Sequence, residues 1–384
     1  MRLGVKTCNK LYSTSTSISA AAATTAAATT SISRKPLFRF GVIADVQYAD
    51  IDDTYNYSHT KTRHYRRSAE VLRNAIGWWN SYQSPAINFV VNLGDLIDGR
   101  NRGLNIQAQA MRKIMPEFDA LHCPKLLHTV GNHELYCFTR AALSEHRIFP
   151  PSRQQFSLTR PDSLGHDEFP SGDSSCFYYS FKPADNWLVI VLDPYDVSVM
   201  RHGGGRHGYE HFKGAGLDSE AYDLCQSHNP NDIGGKNDFF ANLTGRESRW
   251  APVNGAVGEE QLNWLRHVLE TCHHRNTNVI IFSHVILHPD ATRNHNCRGL
   301  LWNYDKVLES IYEFPCTRLV LAGHIHNEVY HLDDHGVHHL TLPSPLESIK
   351  DECSIVAEVM TSGDIHVVPQ GDITERLLLH QELR

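Results

Sequence analysis

Six short apolar runs, each ending in polar residues, constrain the fold more than any other feature of this chain. The runs are FRFGVIADVQ, INFVVNLGD, KLLHTVGNHE, NWLVIVLDPYD, NVIIFSHVI and TRLVLAGHIHN. Helical periodicity separates several of them, as in Tyr65, Ala69, Leu72, Ile76 and Trp79 or in Leu262, Leu265, Val268, Leu269 and Cys272. Near-continuous apolar strands that alternate with amphipathic helices predict a mostly buried sheet covered by helices.

The polar residues that end these runs are candidate site residues, because the carboxyl ends of strands carry the chemistry in folds of this kind. They are Asp45, Gln47, Asp95, Asp98, Asn132, His133, Asp193, Asp196, His284, His324 and His326. All of them except Asp98, His133, Asp193 and Asp196 make a plausible set of ligands for two metal ions. In an extended segment alternate side chains share a face, which predicts that His324 and His326 point the same way. Glycines precede Asp95, Asn132 and His324, and we expect them to allow tight turns that direct these side chains into a shared space.

Composition excludes several functional classes. The formal net charge of −7 and a pI near 6.4 argue against a protein that binds the phosphate backbone of nucleic acid. Nine scattered cysteines form neither a disulfide framework nor a zinc-binding spacing, which predicts reduced thiols in a cytosol-like compartment. Because no apolar stretch reaches about 18 residues, we expect no transmembrane helix and no membrane partner.

The first 36 residues differ from the rest of the chain. They are rich in Ser, Thr and Ala and contain several basic residues, and the first acidic residue of the chain is Asp45. Two interpretations stay open: an organellar transit peptide, or, alternatively, a disordered tail or an upstream start codon. Residues 37–384 are expected to form a single domain, with a loop insertion or lid at about 198–258. A soluble intracellular protein follows, cytosolic or, with a transit peptide, in a plastid or mitochondrion.

The order of the polar motifs resembles a known family. The series D-x-Q, G-D-x-x-D, G-N-H-E, a lone His after an apolar run and G-H-x-H is similar to the calcineurin-like metallophosphoesterases. The resemblance implies an α/β fold, a four-layer αββα sandwich of two facing mixed sheets, with a dinuclear metal centre at the strand ends. It places one metal ion on Asp45, Gln47, Asp95 and His326, and a second on Asp95, Asn132, His284 and His324.

Longer phrases resemble one group within that family. The phrases FGVIADVQYAD, GDLIDGRN, GNHELY, EEQLNWL, SHVILHPDA and LLWNYD are similar to the manganese-dependent ADP-ribose/CDP-alcohol diphosphatases. The resemblance implies a hydrolase that cleaves the pyrophosphate bond of ADP-ribose or of CDP-alcohols such as CDP-choline and CDP-glycerol, to a nucleoside monophosphate and a phosphorylated product. The alternatives are a phosphoprotein phosphatase, a cyclic-nucleotide phosphodiesterase and a metal-free scaffold. The scaffold is disfavoured because all seven ligand positions carry donor side chains.

The donor types favour manganese. Two carboxylates, Asp45 and Asp95, leave two divalent ions with a net charge of about plus two, which attracts a phosphate. The amide oxygen of Gln47 is a harder donor than imidazole, so we expect Mn²⁺, with Mg²⁺ as the alternative, rather than zinc. The resemblance assigns His133 to protonation of the leaving phosphate or to stabilisation of charge on phosphorus. Asp98 either orients His133 or closes the turn.

Residues downstream of the strand ends are candidates for substrate binding. They are Tyr57, Asn101, Tyr136, Cys297 and Tyr304. Loops at these positions line pockets, and aromatic rings can stack on a base, although ordinary loop packing is the alternative for each residue. We expect Asp193 and Asp196 to shape a turn and the histidines of HLDDHGVHH to be solvated. The expected partner is a small nucleotide, and nothing in the sequence requires more than a monomer.

Overall fold

Strands account for most of the buried framework of the protein. The computed structural model describes residues 35–56, 58–123, 125–145, 177–203, 218–234 and 238–380. Within them the strands are β1 Pro36–Ile43, β2 Thr54–Tyr55, β3 Thr62–Arg63, β4 Phe89–Asn92, β5 Leu126–His128, β6 Tyr179–Ala184, β7 Trp187–Val191, β8 Asn278–Phe282, β9 Thr317–Ala322, β10 Val329–Leu332, β11 His338–Thr341, β12 Cys353–Met360, β13 Ile365–Gly371 and β14 Arg376–Leu378.

Helices connect the strands and cover the sheets. In the same part of the chain the α-helices are α1 Ser68–Asn80, α2 Arg100–Gly103, α3 Gln107–Ile114, α4 Asn132–Cys137, α5 Arg140–Glu145, α6 Ser219–His228, α7 Glu259–His274 and α8 Tyr304–Glu313. Short 3₁₀ turns lie at Met115–Ala120, Gly245–Arg249, Pro289–Ala291, Arg293–His295 and Pro345–Glu347. None of the helices described is long and apolar enough to cross a bilayer.

The strands form two six-stranded mixed sheets and a small ribbon of β2 and β3. The first sheet has the order β14-β13-β12-β1-β4-β5, and the second has the order β10-β11-β9-β8-β7-β6. Strands β1, β4 and β5 are parallel, as are β7, β8, β9 and β11. Their carboxyl ends therefore lie at one edge of each sheet, which is where the polar motifs fall.

Side chains from the two sheets pack against each other between the layers. Phe38 and Phe40 of β1 belong to this inner core with Phe89 of β4 and Phe282 of β8. The outer face of the first sheet packs on α1, and that of the second packs on α7 and α8. This arrangement confirms the predicted αββα sandwich, and all six apolar runs are strands, as predicted.

Gly41 lets α1 approach the first sheet closely. A Cβ added at Gly41 would lie 2.7 Å from the buried Trp79 ring, whose Nε1 donates a hydrogen bond to Ile355 O. We expect Gly41→Ala to lower the free energy of unfolding by about 1–3 kcal/mol through overpacking. Gly77→Ala, on the exposed side of the same helix with nothing near its Cβ, is expected to raise it by about 0.5–1 kcal/mol. Urea denaturation of both variants measures the difference, and equal effects would contradict this packing.

His128 at the end of β5 couples stability to pH. Burial lowers the pKa of His128 from 6.5 to about 3. Below pH 6.5 the unfolded chain therefore binds a proton that the folded chain does not accept until about pH 3. We expect the free energy of unfolding to fall across this window, by at most about 1.4 kcal/mol per pH unit from this group. Urea titrations from pH 7 to pH 4 should show a shallower fall for His128→Gln; an unchanged slope would contradict the assignment.

The segment predicted as an insertion at about 198–258 contains regular structure where it is described. It includes α6, whose Asp218 side chain accepts a hydrogen bond from Ala221 N as the helix cap, and the turn Gly245–Arg249. The part of the chain from Lys35 onward forms one compact unit. Residues 1–34, which include most of the predicted leader, lie outside the described residues, so the leader and the insertion stay predictions.

Candidate metal centre

The seven predicted ligand residues lie together beyond the strand ends. Asp45 and Gln47 follow β1, Asp95 follows β4, Asn132 begins α4 after β5, His284 follows β8, and His324 and His326 follow β9. Asp95 lies in the middle of the group, with Oδ2 at 3.1 Å from Gln47 Nε2 and 3.3 Å from His284 Nε2. One carboxylate is therefore within reach of ligands from both sheets.

The remaining side chains contact one another or Asp95. His326 Nε2 lies 3.5 Å from Asp45 Oδ1, and Asn132 Oδ1 lies 3.2 Å from His284 Nε2. The His324 ring is 4.9 Å from the His284 ring, and both offer ligand atoms within 4.8 Å of Asp95. All of these contacts join residues far apart in sequence, so the fold rather than local structure brings the donors together.

The backbone reaches this arrangement through left-handed turns and not through extended strands. Asp45, Gln47, Asp95, His324 and His326 have φ values of 52°, 46°, 55°, 75° and 55°. The expectation that His324 and His326 share the face of an extended segment is therefore wrong, because β9 ends at Ala322. Positive φ costs free energy for residues other than glycine and is found disproportionately at functional sites.

Glycines make room for the two carboxylates. Gly94 has φ 94°, as expected for a tight turn before Asp95. Gly131 and Gly323 act differently, because a Cβ at Gly131 would lie 2.1 Å from Asp95 Oδ1 and one at Gly323 would lie 2.4 Å from Asp45 Oδ2. At these two positions glycine is required for close approach to an aspartate.

The donor set fits divalent cations. Asp45, Gln47 and Asp95 are at most 1% exposed. Within the part of the chain that is described, Asp45 Oδ1 and Gln47 Oε1 are buried oxygens with no hydrogen-bond partner. Buried carboxylates and unpaired oxygens are costly unless a cation or a donor compensates them. Hard oxygens with imidazole nitrogens are the ligands that manganese and magnesium-like ions accept.

The carboxylates favour positive charge in this space. Burial opposes ionisation of Asp95, but the charges of His284 and His133 hold its pKa well below 3.8. Burial would lower the pKa of His284, yet Asp95 raises it to about 9. His324 has the opposite shift, because burial and the neighbouring His284 hold its pKa well below 6.5. Either a proton or a metal cation can balance the negative charge of the carboxylates. A metal cation can contact several of the oxygen and nitrogen ligand atoms at once.

His133 lies at the edge of the centre. Its Nε2 is 3.9 Å from Asp95 Oδ2, and its Nδ1 accepts a hydrogen bond from Gly99 N at 2.8 Å. Asp98 Oδ2 lies 3.4 Å from the same Nδ1, and Asp98 Oδ1 accepts from Arg100 N at 2.8 Å. The Asp98 carboxylate thus both contacts His133 and closes the turn. The catalytic roles of His133 and Asp98 stay predictions.

Glu134 holds the loop that carries Asp95. Its carboxylate accepts hydrogen bonds from the backbone N–H groups of Asp95, Leu96 and Gly131. Burial and the charge of Asp95 raise the pKa of Glu134 to about 7, although the backbone hydrogen bonds oppose this shift. The contacts are those of a structural residue.

Sequence reasoning missed several side chains that surround the ligands. Tyr195, within the DPYD motif, donates to Asn132 Oδ1 at 3.2 Å, and the buried Asn254 and Glu347 contact His324 and His326. Isolated polar residues outside a motif gave no signal. The predicted turn role of the DPYD acids agrees with the structure: Asp193 accepts from Tyr195 N and pairs with Arg140, and Asp196 accepts from Gly258 N.

The predicted substrate residues fall into different environments. Tyr57 lies outside the described residues. Asn101 is fully buried and donates to Tyr48 O and Asp98 O, and Cys297 is also buried. Tyr136 accepts from Asn132 Nδ2 at 3.1 Å. Tyr304 is half-buried, with the guanidinium groups of Arg246 and Arg249 over its ring. A role in substrate binding stays a prediction for each.

A second group of ligand-type side chains includes two residues of the segment after β8 and one residue of β10. His288, Asp290 and His331 offer ligand atoms within 4.8 Å of one another. The His288 and His331 rings stack at 4.6 Å, and His288 Nδ1 accepts a hydrogen bond from Asp290 N. Stacked rings do not direct their lone pairs at one point. The expectation that the HLDDHGVHH histidines are solvated is wrong for His338 and His339, which are buried in β11.

The sequence matches the calcineurin-like phosphoesterase family over residues 38–328. A solved structure with the same fold is a dimetal phosphatase from Danio rerio, with a TM-score of 0.76 and 30% identity over 90% of this chain and 100% of that chain. Fold and site thus define a hydrolase of the metal-dependent phosphoesterase class. The chain belongs to the calcineurin-like phosphoesterase family.

Curated relatives point to one group within this family. The chain is 36% identical to a manganese-dependent ADP-ribose/CDP-alcohol diphosphatase from Danio rerio, covering 82% of this chain and 89% of the relative. Proteins of the same name from Arabidopsis thaliana and Mus musculus are 35% and 33% identical, over 83% and 90% of this chain and 89% and 94% of the relatives.

Proposed function

We propose that this protein is a manganese-dependent hydrolase that cleaves the pyrophosphate bond of ADP-ribose and of CDP-alcohols. The observation that carries the proposal is the position of Asp95, which lies between ligand groups from the two sheets. The similarity to the relatives named above covers most of this chain, and the names of those relatives give this substrate class.

The proposed ligand sets follow the contacts. Metal one would be held by Asp45, Gln47, Asp95 and His326, with the Gln47 amide turned so that its oxygen takes the place of Nε2, which faces Asp95 and His326. Metal two would be held by Asp95, Asn132, His284 and His324. Each of the three histidines has one ring nitrogen bonded to a protein acceptor, which leaves the other nitrogen for a metal ion. His284 Nδ1 donates to Leu93 O at 2.7 Å, so Nε2, which faces Asp95 and Asn132, is the nitrogen that would bind a metal ion in exchange for its proton.

The cations supply Lewis acidity: when bound they neutralise phosphate oxygens and favour deprotonation of water. In the reaction an oxygen of water forms a bond to one phosphorus, and the bond from that phosphorus to the bridging oxygen breaks. The bridging oxygen leaves with the other phosphate, so the products are a nucleoside monophosphate and a phosphorylated sugar or alcohol. His133 is proposed to bind the phosphoryl oxygens or to protonate the leaving oxygen through Nε2, because Nδ1 is bound to Gly99 N.

Selectivity is proposed to come from loops beside the centre. Tyr304, with Arg246 and Arg249 against its ring, presents aromatic and positive groups suited to a base and a phosphate. We extend the proposal to Tyr57, Asn101, Tyr136 and Cys297, as the sequence motifs predict. We also propose that a monomer is the active unit and that residues 37–384 are the catalytic domain. Residues 1–36 are proposed to be a leader. Sequencing the N-terminus of the protein isolated from cells tests the proposal of a leader.

A substrate and metal panel tests the function. Metal-stripped protein is assayed with ADP-ribose, CDP-choline, a phosphoprotein and cyclic AMP, with Mn²⁺, Mg²⁺ or Zn²⁺ added. We expect the highest kcat/KM with ADP-ribose or CDP-choline in Mn²⁺, because the amide oxygen of Gln47 is a harder donor than an imidazole nitrogen. Preference for the phosphoprotein or cyclic AMP would support the alternative phosphoesterases. Recovery with zinc but never with manganese would contradict the donor argument, and no bound metal with no activity would support a scaffold.

A further inference from the structure

Glu347 contacts the ring nitrogen of His326 that faces away from the centre. Its side chain is 6% exposed, and Oε1 accepts a hydrogen bond from His326 Nδ1 at 3.0 Å. A carboxylate has no proton to donate here, so Nδ1 must hold the proton. In the neutral ring the lone pair of His326 is then on Nε2, which lies 2.9 Å from the amide nitrogen of Gln47 and 3.5 Å from Asp45 Oδ1.

Two cationic side chains hold Glu347 in place. Lys61 Nζ lies 3.3 Å from Glu347 Oε2, and Arg63 Nε lies 3.3 Å from Oε1. Lys61 Nζ also donates to the backbone oxygen of His326. The contacts of Lys61 and Arg63 and the hydrogen bond from His326 fix the orientation of the Glu347 carboxylate behind the His326 ring.

Asn254 has the corresponding position behind His324. It is fully buried, and its Nδ2 donates to the backbone oxygens of Arg249 and Arg298 at 2.9 and 2.8 Å. These two bonds use both amide hydrogens and direct Oδ1 at His324 Nε2, 2.8 Å away. His324 Nε2 then holds the proton, and the free lone pair is on Nδ1, the opposite nitrogen from that of His326.

We propose that Glu347 and Asn254 are positioning residues that set the affinity of one metal ion each, Glu347 for metal one through His326 and Asn254 for metal two through His324. The inference rests on the proposed function, because it uses the ligand sets given there. Partners of metal-binding histidines fix the ring and its tautomer, and their loss typically weakens metal binding about 10-fold to 100-fold. The anionic Glu347 also makes its imidazole partner more basic, and the neutral amide of Asn254 has a weaker effect of the same kind.

Manganese binding to the full-length, metal-stripped protein tests the proposal. Free Mn²⁺ is measured by electron paramagnetic resonance as the ion is titrated into the wild type, Glu347→Gln and Asn254→Leu. We expect two ions per wild-type chain. In each variant one ion should bind about 10-fold to 100-fold more weakly while the other keeps its wild-type affinity. In the double variant both ions should bind weakly, because the two residues act on different ions.

Glu328→Gln is the matched control. Glu328 is also a largely buried carboxylate, at 17% side-chain exposure, lies two positions from His326 in sequence, and pairs with Arg376 rather than with a predicted ligand. We expect wild-type Mn²⁺ binding for this variant. Circular dichroism and urea midpoints check that every variant is folded, and Asn254→Ser replaces Asn254→Leu if the latter unfolds.

The outcomes separate this inference from the proposed function. Wild-type affinity for both ions in Glu347→Gln or in the Asn254 variant overturns the inference, as does loss of the same ion in both. An equal loss in Glu328→Gln overturns it too, because a general charge effect would then explain the result. A wild-type chain that binds fewer than two ions contradicts the dinuclear centre itself and therefore the proposed function.

Discussion

Asp95→Ala is expected to lower kcat/KM for ADP-ribose in Mn²⁺ by about 10³-fold to 10⁴-fold. Asp95 is 1% exposed, and its Oδ2 contacts Gln47, which follows a strand of the first sheet, and His284, which follows a strand of the second. Its removal takes a ligand from both proposed metal ions. The loss corresponds to about 4–5 kcal/mol of transition-state stabilisation, the several kcal/mol that such ions supply. Steady-state kinetics over a range of Mn²⁺ concentrations measures the effect.

Asp290→Ala is the control for this experiment. Asp290 is also an aspartate near imidazoles, but it belongs to the group with His288 and His331 and forms an ion pair with His295. We expect this variant to keep nearly wild-type kcat/KM. Activity that depended on Asp290 and not on Asp95 would place the metal centre at His288, Asp290 and His331 and would contradict the proposed centre around Asp95.

His133→Ala is expected to lower kcat by about 10²-fold to 10⁴-fold, the usual contribution of a positioned proton donor or of a donor to developing charge. Its Nε2 faces Asp95, while Gly99 N fixes the ring through Nδ1. Because His133 is not a proposed ligand, Mn²⁺ binding should change little. The loss in His133→Ala should therefore appear in kcat at saturating Mn²⁺. In Asp95→Ala, by contrast, the loss should include weaker metal binding.

Mn²⁺ titration of the same variant provides the internal control. Two ions bound with wild-type affinity, together with the low kcat, would assign His133 to the chemical step. If excess Mn²⁺ restored full activity, His133 would act only through metal affinity, and the proposed role would be wrong.

The fold was largely predictable because its buried strands have local signals. β1, β4, β7, β8 and β9 are runs of apolar residues that end in polar groups, and such strands need no distant information to be recognised. The pairing of β12 with β1 is antiparallel and joins residues more than 300 positions apart, so no local pattern specifies it. The positions of the strand ends followed from sequence, whereas the full sheet order did not.

The sequence predicted which residues lie together at the candidate centre, but it did not predict their geometry. Motifs identified Asp95, Asn132 and His284 because glycines and apolar runs frame them. The left-handed φ values of His324 and His326 depend on the surrounding packing, which includes Gly323 beside Asp45. Asn254 and Glu347 reach the centre only through tertiary structure, so sequence spacing carries no information about them.

The most direct measurement is a crystal structure of the protein grown with Mn²⁺, with anomalous diffraction recorded at the manganese absorption edge. We predict two anomalous peaks about 3.5–4 Å apart, with Asp95 contacting both. One peak should contact Asp45 and His326, and the other should contact His284 and His324. A single peak, or peaks only at His288, Asp290 and His331, would contradict a dinuclear centre around Asp95.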